Sequence, residues 1–413
     1  MRCGAWHRQP GIIEGADSLK LLFIVHNPTR KGGAYYRGLN LAVPLVRRGH
    51  DATLMTIHPT WRLRISEREL DGVNLIESPD LLWGVGRTGW DPWDTLRRTL
   101  WIRRHRFDII HTVDTRPAVS MPAMLGRRAS GAVWVADWTD WWGRGGATEE
   151  RSGWLVKRLI GPLEQFFEEK PRPRADATVV ISRALGKRAE SLGIDPASIL
   201  YLPPGADPAS IRDTPREESR ARYGLGRRHY IGYLGNIYQR DADLLFNAFR
   251  KVETADVGLV MVGEPGCTIP GDLEDRVTVT GRVPLDDMLD WLSACDILAL
   301  PLSDTIANRG RWPSKINEYV AVGRATVACD VGDVADLLRD NDIGLLVKPD
   351  PADFAARMDE LLRDPARAGA MGAKARETAK TTYSQEAIAD KLESFYREAI
   401  AASRRATEGY DVQ

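Results

Sequence analysis

Residues Arg309–Asp330 read RGRWPSKINEYVAVGRATVACD, a loop, a helix and a buried strand in one short stretch. Pro313 lacks the amide that a first helical turn leaves unpaired, so it suits that turn. Ser314 and Lys315 follow at the helix start. Glu318, Tyr319 and Ala321 continue the helix, Gly323 ends it, and Ala325–Cys329 is the next strand. Free amides at a helix N-terminus attract anions, and a lysine beside them adds a full charge. Glu318 comes about one turn later, where a carboxylate can hold two hydroxyls of a sugar or ribose. Phosphate binder, hydroxyl binder and strand in so short a stretch point to a nucleotide-sugar site. An ordinary helix–strand unit with a solvated glutamate is the other reading of the same residues.

The rest of the chain frames that stretch. Its 413 residues, 43% hydrophobic and 28% charged, suffice for two domains with separate cores. No apolar run approaches the roughly 18 residues of a membrane span. Residues 1–18 lack a signal-length hydrophobic core and read as a polar tail. Cys3, Cys267, Cys295 and Cys329 are scattered, which suggests reduced thiols and a cytoplasmic protein. The histidines form no HExxH-like pair, so no metal site is expected. Net charge is zero, but residues 1–200 hold 30 Lys+Arg against 22 Asp+Glu and the rest 27 against 35, so the halves are +8 and −8. The Pro/Gly break LPPGADP, Leu202–Pro208, falls at that boundary. A basic first half fits an anionic partner, a phosphorylated acceptor or a membrane surface; a solvated Arg-rich surface accounts for it equally.

Each half alternates short apolar strands with amphipathic helices, the pattern of a parallel, doubly wound sheet. Strands are read at Lys20–His26, Asp51–Ile57, Phe107–Val113, Ala132–Ala136, Ala177–Ile181 and Ile199–Leu202. In the second half they fall at Ile231–Leu234, Val257–Val262, Val277–Thr280, Ile297–Leu300, Ala325–Ala328 and Leu345–Val347. Helices come between, among them Asp241–Val252 and Leu285–Ser293, and the chain after Asp350 is nearly all helix. In such sheets ligands meet the carboxyl ends of strands.

Three turns carry further chemistry. Lys31, Gly32 and Gly33 follow the first strand, and two glycines let backbone approach a phosphate or sugar. The spacing is not GxGxxG, so the dinucleotide fingerprint is absent. Leu234–Arg240, LGNIYQR, follows the first strand of the second half. Gly235 frees that turn, with Asn236 beside it, and Arg240 stands just before a helix where a cation can meet a diphosphate. In VTVTGRVPL, Val277–Leu285, the backbone of Arg282 and Val283 can pair with a base edge.

In their order and spacing these features resemble the family-4 glycosyltransferases of the GT-B fold. RRGHDATL at 47–54, FDIIH at 107–111, ADATVVISRAL at 176–185, CDILALPL at 295–302 and KINEYVAVGRATVA at 315–328 extend the likeness over residues 19–402. The resemblance implies two Rossmann-like domains facing across a cleft: an acceptor-binding domain at 19–205 and a donor-binding one at 206–384. A last helix and tail, 385–413, then crosses back. It implies a retaining transferase with a nucleoside-diphosphate-sugar donor, no required metal and a glycan, lipid-linked or small-molecule acceptor. By position, Arg240 resembles the cation on the donor diphosphate, Lys315 and the amides near Ser314 face the phosphate, and Glu318 resembles the ribose-binding second glutamate of the family's paired motif. Arg311 and Pro313 belong to the same donor loop, and His111 is a candidate catalytic residue, with a core histidine at a strand end as the other reading. Two positions depart from the pattern: Gly310 stands where the first glutamate is usual, and Val113, followed by Asp114, where a histidine is usual. A catalytically silent sugar-nucleotide-binding subunit and a nucleotide-sugar epimerase are the alternatives.

Two aromatic-basic stretches remain. Trp90–Arg106, WDPWDTLRRTLWIRRHR, sets Trp93, Leu96, Leu100 and Trp101 at helical spacing beside Arg97, Arg98, Arg103 and Arg104. It reads as a core-facing helix or as a face for anionic lipid. Ala136–Arg144, ADWTDWWGR, follows a strand, and its three tryptophans, Trp138, Trp141 and Trp142, with Asp137 and Asp140 are a candidate acceptor platform, with packing beneath a loop as the other reading.

Overall fold

The computed structural model describes residues 18–82, 88–151 and 153–410. The polar tail up to residue 17, with Cys3, lies outside the described residues.

Eight strands form the first sheet: β1 Lys20–Pro28, β2 Asp51–Ile57, β3 Ser66–Leu70, β4 Val73–Ser78, β5 Ile109–Val113, β6 Val133–Trp138, β7 Ala177–Val180 and β8 Ile199–Tyr201. Their order is β3-β4-β2-β1-β5-β6-β7-β8. β1 pairs parallel with β2 and β5, β2 with β4 and β7 with β8, and β3 runs antiparallel to β4. Leu21 to Val25 of β1 are wholly buried on both faces, as expected for a parallel strand covered by helices on either side.

The hairpin β3–β4 is absent from the sequence reading. Its turn is Asp71-Gly72, both at positive φ (53° and 81°), the conformation that two-residue hairpins require and that Asp-Gly favours. β3 has no buried residue, so it carries little apolar patterning from which to read a strand.

Six strands form the second sheet: β9 His229–Leu234, β10 Val257–Val262, β11 Val277–Val279, β12 Ile297–Leu300, β13 Ala325–Cys329 and β14 Gly344–Val347. The order β11-β10-β9-β12-β13-β14 is all parallel. Counted from β9 this is the doubly wound order 3-2-1-4-5-6, whose switch point lies between β9 and β12. Ile231, Leu259, Leu298 and Val327, one from each central strand, are fully buried in its core.

The chain divides into two compact units, Met1–Ala136 with Ala175–Ala177 and Tyr396–Gln413, and Asp137–Arg174 with Thr178–Phe395. Residues 137–174 and 178–201 therefore count with the second unit, although they precede the Pro/Gly break. At that break Ala206 donates to the Tyr383 carbonyl at 2.6 Å and accepts from Gln385 N at 3.1 Å. The last helix, Gln385–Tyr410, counts with the first unit from Tyr396 onward. There the Tyr396 hydroxyl lies 2.8 Å from His111 Nδ1, and both side chains are wholly buried. His111 also packs its ring 5.2 Å from Phe23. It is a core histidine at a strand end, the second of its two sequence readings, and the catalytic assignment of His111 is corrected.

Candidate functional site in the second unit

The helix Lys315–Ala321 and the turn after β9 meet at the switch point. Tyr319 sets their distance: its hydroxyl accepts from Leu234 N at 3.0 Å and donates to the Ala299 carbonyl at 3.1 Å, tying the helix to the ends of β9 and β12. Behind the helix Trp312 Nε1 donates to Asn317 Oδ1 at 3.0 Å. Gly323, at φ 64°, ends the turn after the helix, and β13 begins at Ala325. Pro313 is buried ahead of the helix and not in its first turn; Ser314 is at the N-cap with helical angles and makes no side-chain cap.

Lys315 projects from that first turn toward the β9 loop. Its Nζ donates to the Tyr233 hydroxyl and, at 3.1 Å, to the Asn236 carbonyl, and it lies 3.9 Å from the Tyr233 ring centroid. Burial, then the neighbouring Arg311, lowers its pKa to about 7. One turn on, Glu318 is half-buried as a residue, but its Oε2 is sealed from solvent and has no hydrogen-bond partner. Burial raises its pKa to about 7 against the pull of Lys315. Buried polar atoms are nearly always hydrogen-bonded, and an orphaned carboxylate oxygen one turn from a lysine whose pKa burial lowers marks a place built for a ligand's donors.

Cations and open backbone surround this pair. Arg311 sits 5.4 Å over the Tyr238 ring, with its Nε buried and without a partner. Arg240 is exposed in the first turn of the helix Gln239–Arg250, rather than just before a helix as the sequence suggested. Gly235 has φ 75°, and a side chain there would meet nothing within 4 Å, so the turn leaves room for a ligand. Asp241 holds the opposite wall by accepting from Ser303 N at 2.8 Å and Ser303 Oγ at 2.6 Å. Arg282 is exposed and pairs with exposed Glu264 at 2.9 Å, a contact of little energetic weight; Val283 is half-buried beside it.

The departure at Gly310 has a steric cause. A Cβ there would lie 2.9 Å from Trp141 Cβ and 3.2 Å from its ring, so Trp141 fills the space a larger residue needs. The loop is also less basic than it reads: Arg309 is held by both oxygens of Asp304, at 2.6 and 2.7 Å. Tyr233 and Asp304 escaped the sequence reading, and Trp141, read as part of a sugar platform, instead packs against Gly310. The opposite charges of Asp304 and Arg309 along one loop were the available signal for one of them.

Other expected site residues have different roles. Gly32 does not hold the backbone open: a Cβ there would strike Asn27 at 2.5 Å, and Asn27 Oδ1 accepts from Ala34 N at 2.9 Å, capping the first helix. Gly33 has nothing near its Cβ direction. Trp138 is fully buried, donates from Nε1 to Glu168 Oε1 at 3.1 Å and carries the Arg172 guanidinium 4.0 Å over its ring. Its face is packed, so it is no sugar platform. Asp137 is likewise buried, and Asp140 is half-buried, its carbonyl accepting from Trp138 Nε1 at 3.0 Å. Asp114, at the carboxyl end of β5, takes φ 75° and lies 3.5 Å from His26 Nδ1 at the end of β1. Burial, then Arg116 and Arg98, holds the His26 pKa well below its usual value, so this imidazole is neutral. In the helix Pro92–Ile102, Arg98 is wholly buried against Asp94 at 2.7 Å, which removes it from any lipid-facing surface.

Comparison with known proteins agrees with this architecture. Residues 32–205 match the glycosyl transferase 4-like domain, and residues 228–364 match glycosyl transferases group 1. The chain belongs to this glycosyltransferase family. A GDP-mannose-dependent alpha-(1-6)-phosphatidylinositol monomannoside mannosyltransferase of Mycobacterium tuberculosis is 33% identical over 237 residues, 53% of this chain and 61% of the relative. The chain thus spans about three-fifths of that relative's length. A D-inositol 3-phosphate glycosyltransferase of Kineococcus radiotolerans is 26% identical over 98% of this chain and 86% of its own. Among solved structures, a sucrose-phosphate synthase from Thermosynechococcus elongatus superposes with a TM-score of 0.70 at 18% identity, over 92% of this chain and 99% of that one. The fold is GT-B.

Proposed function

We propose that the protein is a retaining, metal-independent glycosyltransferase that moves a sugar from a nucleoside-diphosphate sugar to an inositol-bearing acceptor. The observation that carries the reading is the pair Lys315–Glu318 at the switch point, a lysine held by Tyr233 and the Asn236 carbonyl one turn from an orphaned carboxylate oxygen sealed from solvent. Ribose hydroxyls donating to Glu318 supply the partners its Oε2 lacks. The diphosphate accepts from Lys315, Arg311 and Arg240. In the reaction the bond from the anomeric carbon to the β-phosphate oxygen breaks and a bond to the acceptor oxygen forms on the same face. The acceptor's proton passes to the departing phosphate oxygen, so no protein base is required. Charge growing on the β-phosphate is what the three cations oppose, and fixed charges aimed at developing charge are the largest single catalytic contribution in many enzymes.

The acceptor class rests on the names of the two relatives, both of which act on inositol compounds. The cytoplasm is the proposed compartment, consistent with the free thiols of Cys267, Cys295 and Cys329. Among the described residues no helix is long and apolar enough to cross a membrane.

A thermal-shift screen of GDP, UDP, ADP, CMP and dTDP sugars tests the donor. A ligand at 100 times its dissociation constant stabilises by about 2.7 kcal/mol. The selected donor is then incubated with inositol phosphate or phosphatidylinositol, and nucleoside diphosphate and the glycosylated product are measured. Binding without turnover under either acceptor, or an epimerised donor, would overturn the reading.

A further inference from the structure

The helix Gly161–Glu169 is turned inside out. Its carboxylates Glu164 and Glu168 are buried, at 4% and 0% exposure, while Leu163 and Phe166 are 49% and 53% exposed. Glu168 fixes this rotation. Its Oε1 accepts from Trp138 Nε1 at 3.1 Å and Trp142 N at 2.9 Å, and its Oε2 accepts from Gly143 N at 2.6 Å. Arg188 adds a guanidinium 3.9 Å away. A buried carboxylate satisfied by three donors locks the helix about its axis. Phe166, two positions from both Glu164 and Glu168 and so on the opposite side of the 3.6-residue repeat, must then face outward. The preceding helix, Trp154–Leu159, adds Trp154 at 72% and Leu159 at 60% exposure.

The charges of this segment are sorted as well. Between Gly153 and Arg174 the acidic residues are Glu164 and Glu168, both buried, and Glu169, which pairs with Arg188 at 2.8 Å. The exposed charged residues there are Lys157, Arg158, Lys170 and Arg174. Solitary exposed apolar side chains are ordinary. Four large ones along one segment whose exposed charges, from Gly153 to Arg174, are all basic are not.

We propose that this face is a docking surface for an anionic bilayer. Tryptophan, leucine and phenylalanine enter the boundary between headgroups and acyl chains, and the lysines and arginines meet lipid phosphates. A second copy of the chain fits less well, because a two-fold contact would bring the same four cations against each other. The proposal goes beyond the transferase reading and needs no transfer activity to be tested.

The test is co-sedimentation of the full chain with vesicles of phosphatidylcholine alone or with 30% phosphatidylglycerol, a composition chosen as roughly that of an anionic membrane. The protein should pellet with the anionic vesicles only and be released at 1 M salt, where the screening length falls to about 3 Å. Leu163→Gln/Phe166→Gln and, separately, Lys157→Gln/Arg158→Gln/Lys170→Gln should each lower the bound fraction at least tenfold with unchanged melting. Arg103→Gln/Arg104→Gln/Arg106→Gln, in the other aromatic-basic stretch, should bind like the parent. Equal partition into both vesicle types, parental binding by the apolar variant, or loss of binding only in the Arg103/Arg104/Arg106 variant would overturn the assignment. So would a dimer in solution that the Leu163/Phe166 change dissolves, because the face would then belong to a second copy.

Discussion

Replacing Glu318 by glutamine should move stability and affinity in opposite directions. The carboxyl has its pKa raised from 4.5 to about 7 by burial, and its Oε2 has no partner in the free protein. A raised folded-state pKa favours the fold while the group is protonated. That contribution is complete below the unfolded pKa near 4.5 and is lost as pH climbs through 7. A shift of this size corresponds to about 3 kcal/mol once both states are ionised, as an order of magnitude. Glu318→Gln is neutral at every pH, so its melting temperature should match the parent's near pH 5 and exceed it at pH 8. Donor binding should weaken instead, because a charged acceptor of hydroxyl hydrogen bonds is lost. At about 1.5–3 kcal/mol for such bonds, the dissociation constant for the nucleoside diphosphate should rise roughly 10- to 150-fold. Differential scanning fluorimetry across pH and titration calorimetry at pH 8 measure the two quantities. Lower melting at all pH values would make Glu318 a structural residue, and unchanged nucleotide affinity would remove it from the site.

Arg240→Ala should lower kcat by roughly 10²–10³ with a smaller change in KM, since the charge it meets grows as the bond breaks; Arg240→Lys should recover part of that loss, and parental turnover of the alanine variant at saturating donor would reduce Arg240 to a surface arginine. Lys315, its pKa lowered to about 7 by burial, is increasingly neutral in the free protein above that pH, and a bound diphosphate must recharge it. Nucleoside diphosphate affinity should therefore fall between pH 7 and 9, by up to about tenfold per unit. Lys315→Arg, always charged, should flatten that slope in calorimetry, and a slope that persists would locate the proton elsewhere. Asp94 is buried with Arg98, and burial raises its pKa to about 6 even though the guanidinium opposes this. Asp94→Ala leaves Arg98 uncompensated and should cost about 3–5 kcal/mol in urea unfolding; a loss below 1 kcal/mol would mean that water reaches the arginine.

The fold was legible because its signals are local. Continuous apolar runs such as Lys20–His26 and Val257–Val262 can bury both faces only in a parallel sheet covered by helices, and Gly323 marks a helix end by its own backbone. The helix bearing Lys315 and Glu318 was legible for the same reason, since one turn of spacing sets which side chains share a face. The antiparallel edge β3 was not, because its residues are exposed and only the Asp71-Gly72 turn announces it. What tertiary structure alone decided is where each polar side chain ends. His111 enters the core because Tyr396, far along the chain, meets its ring, and Gly310 is small because Trp141 occupies its side. Arg98 turns inward to Asp94, while Leu163 and Phe166 turn outward because Glu168 is held from within by Trp138, Trp142 and Gly143. Composition and spacing determine how much apolar surface a segment offers. The burial of a charge depends on whether distant donors and acceptors converge to replace its water, and that convergence exists only in the folded chain.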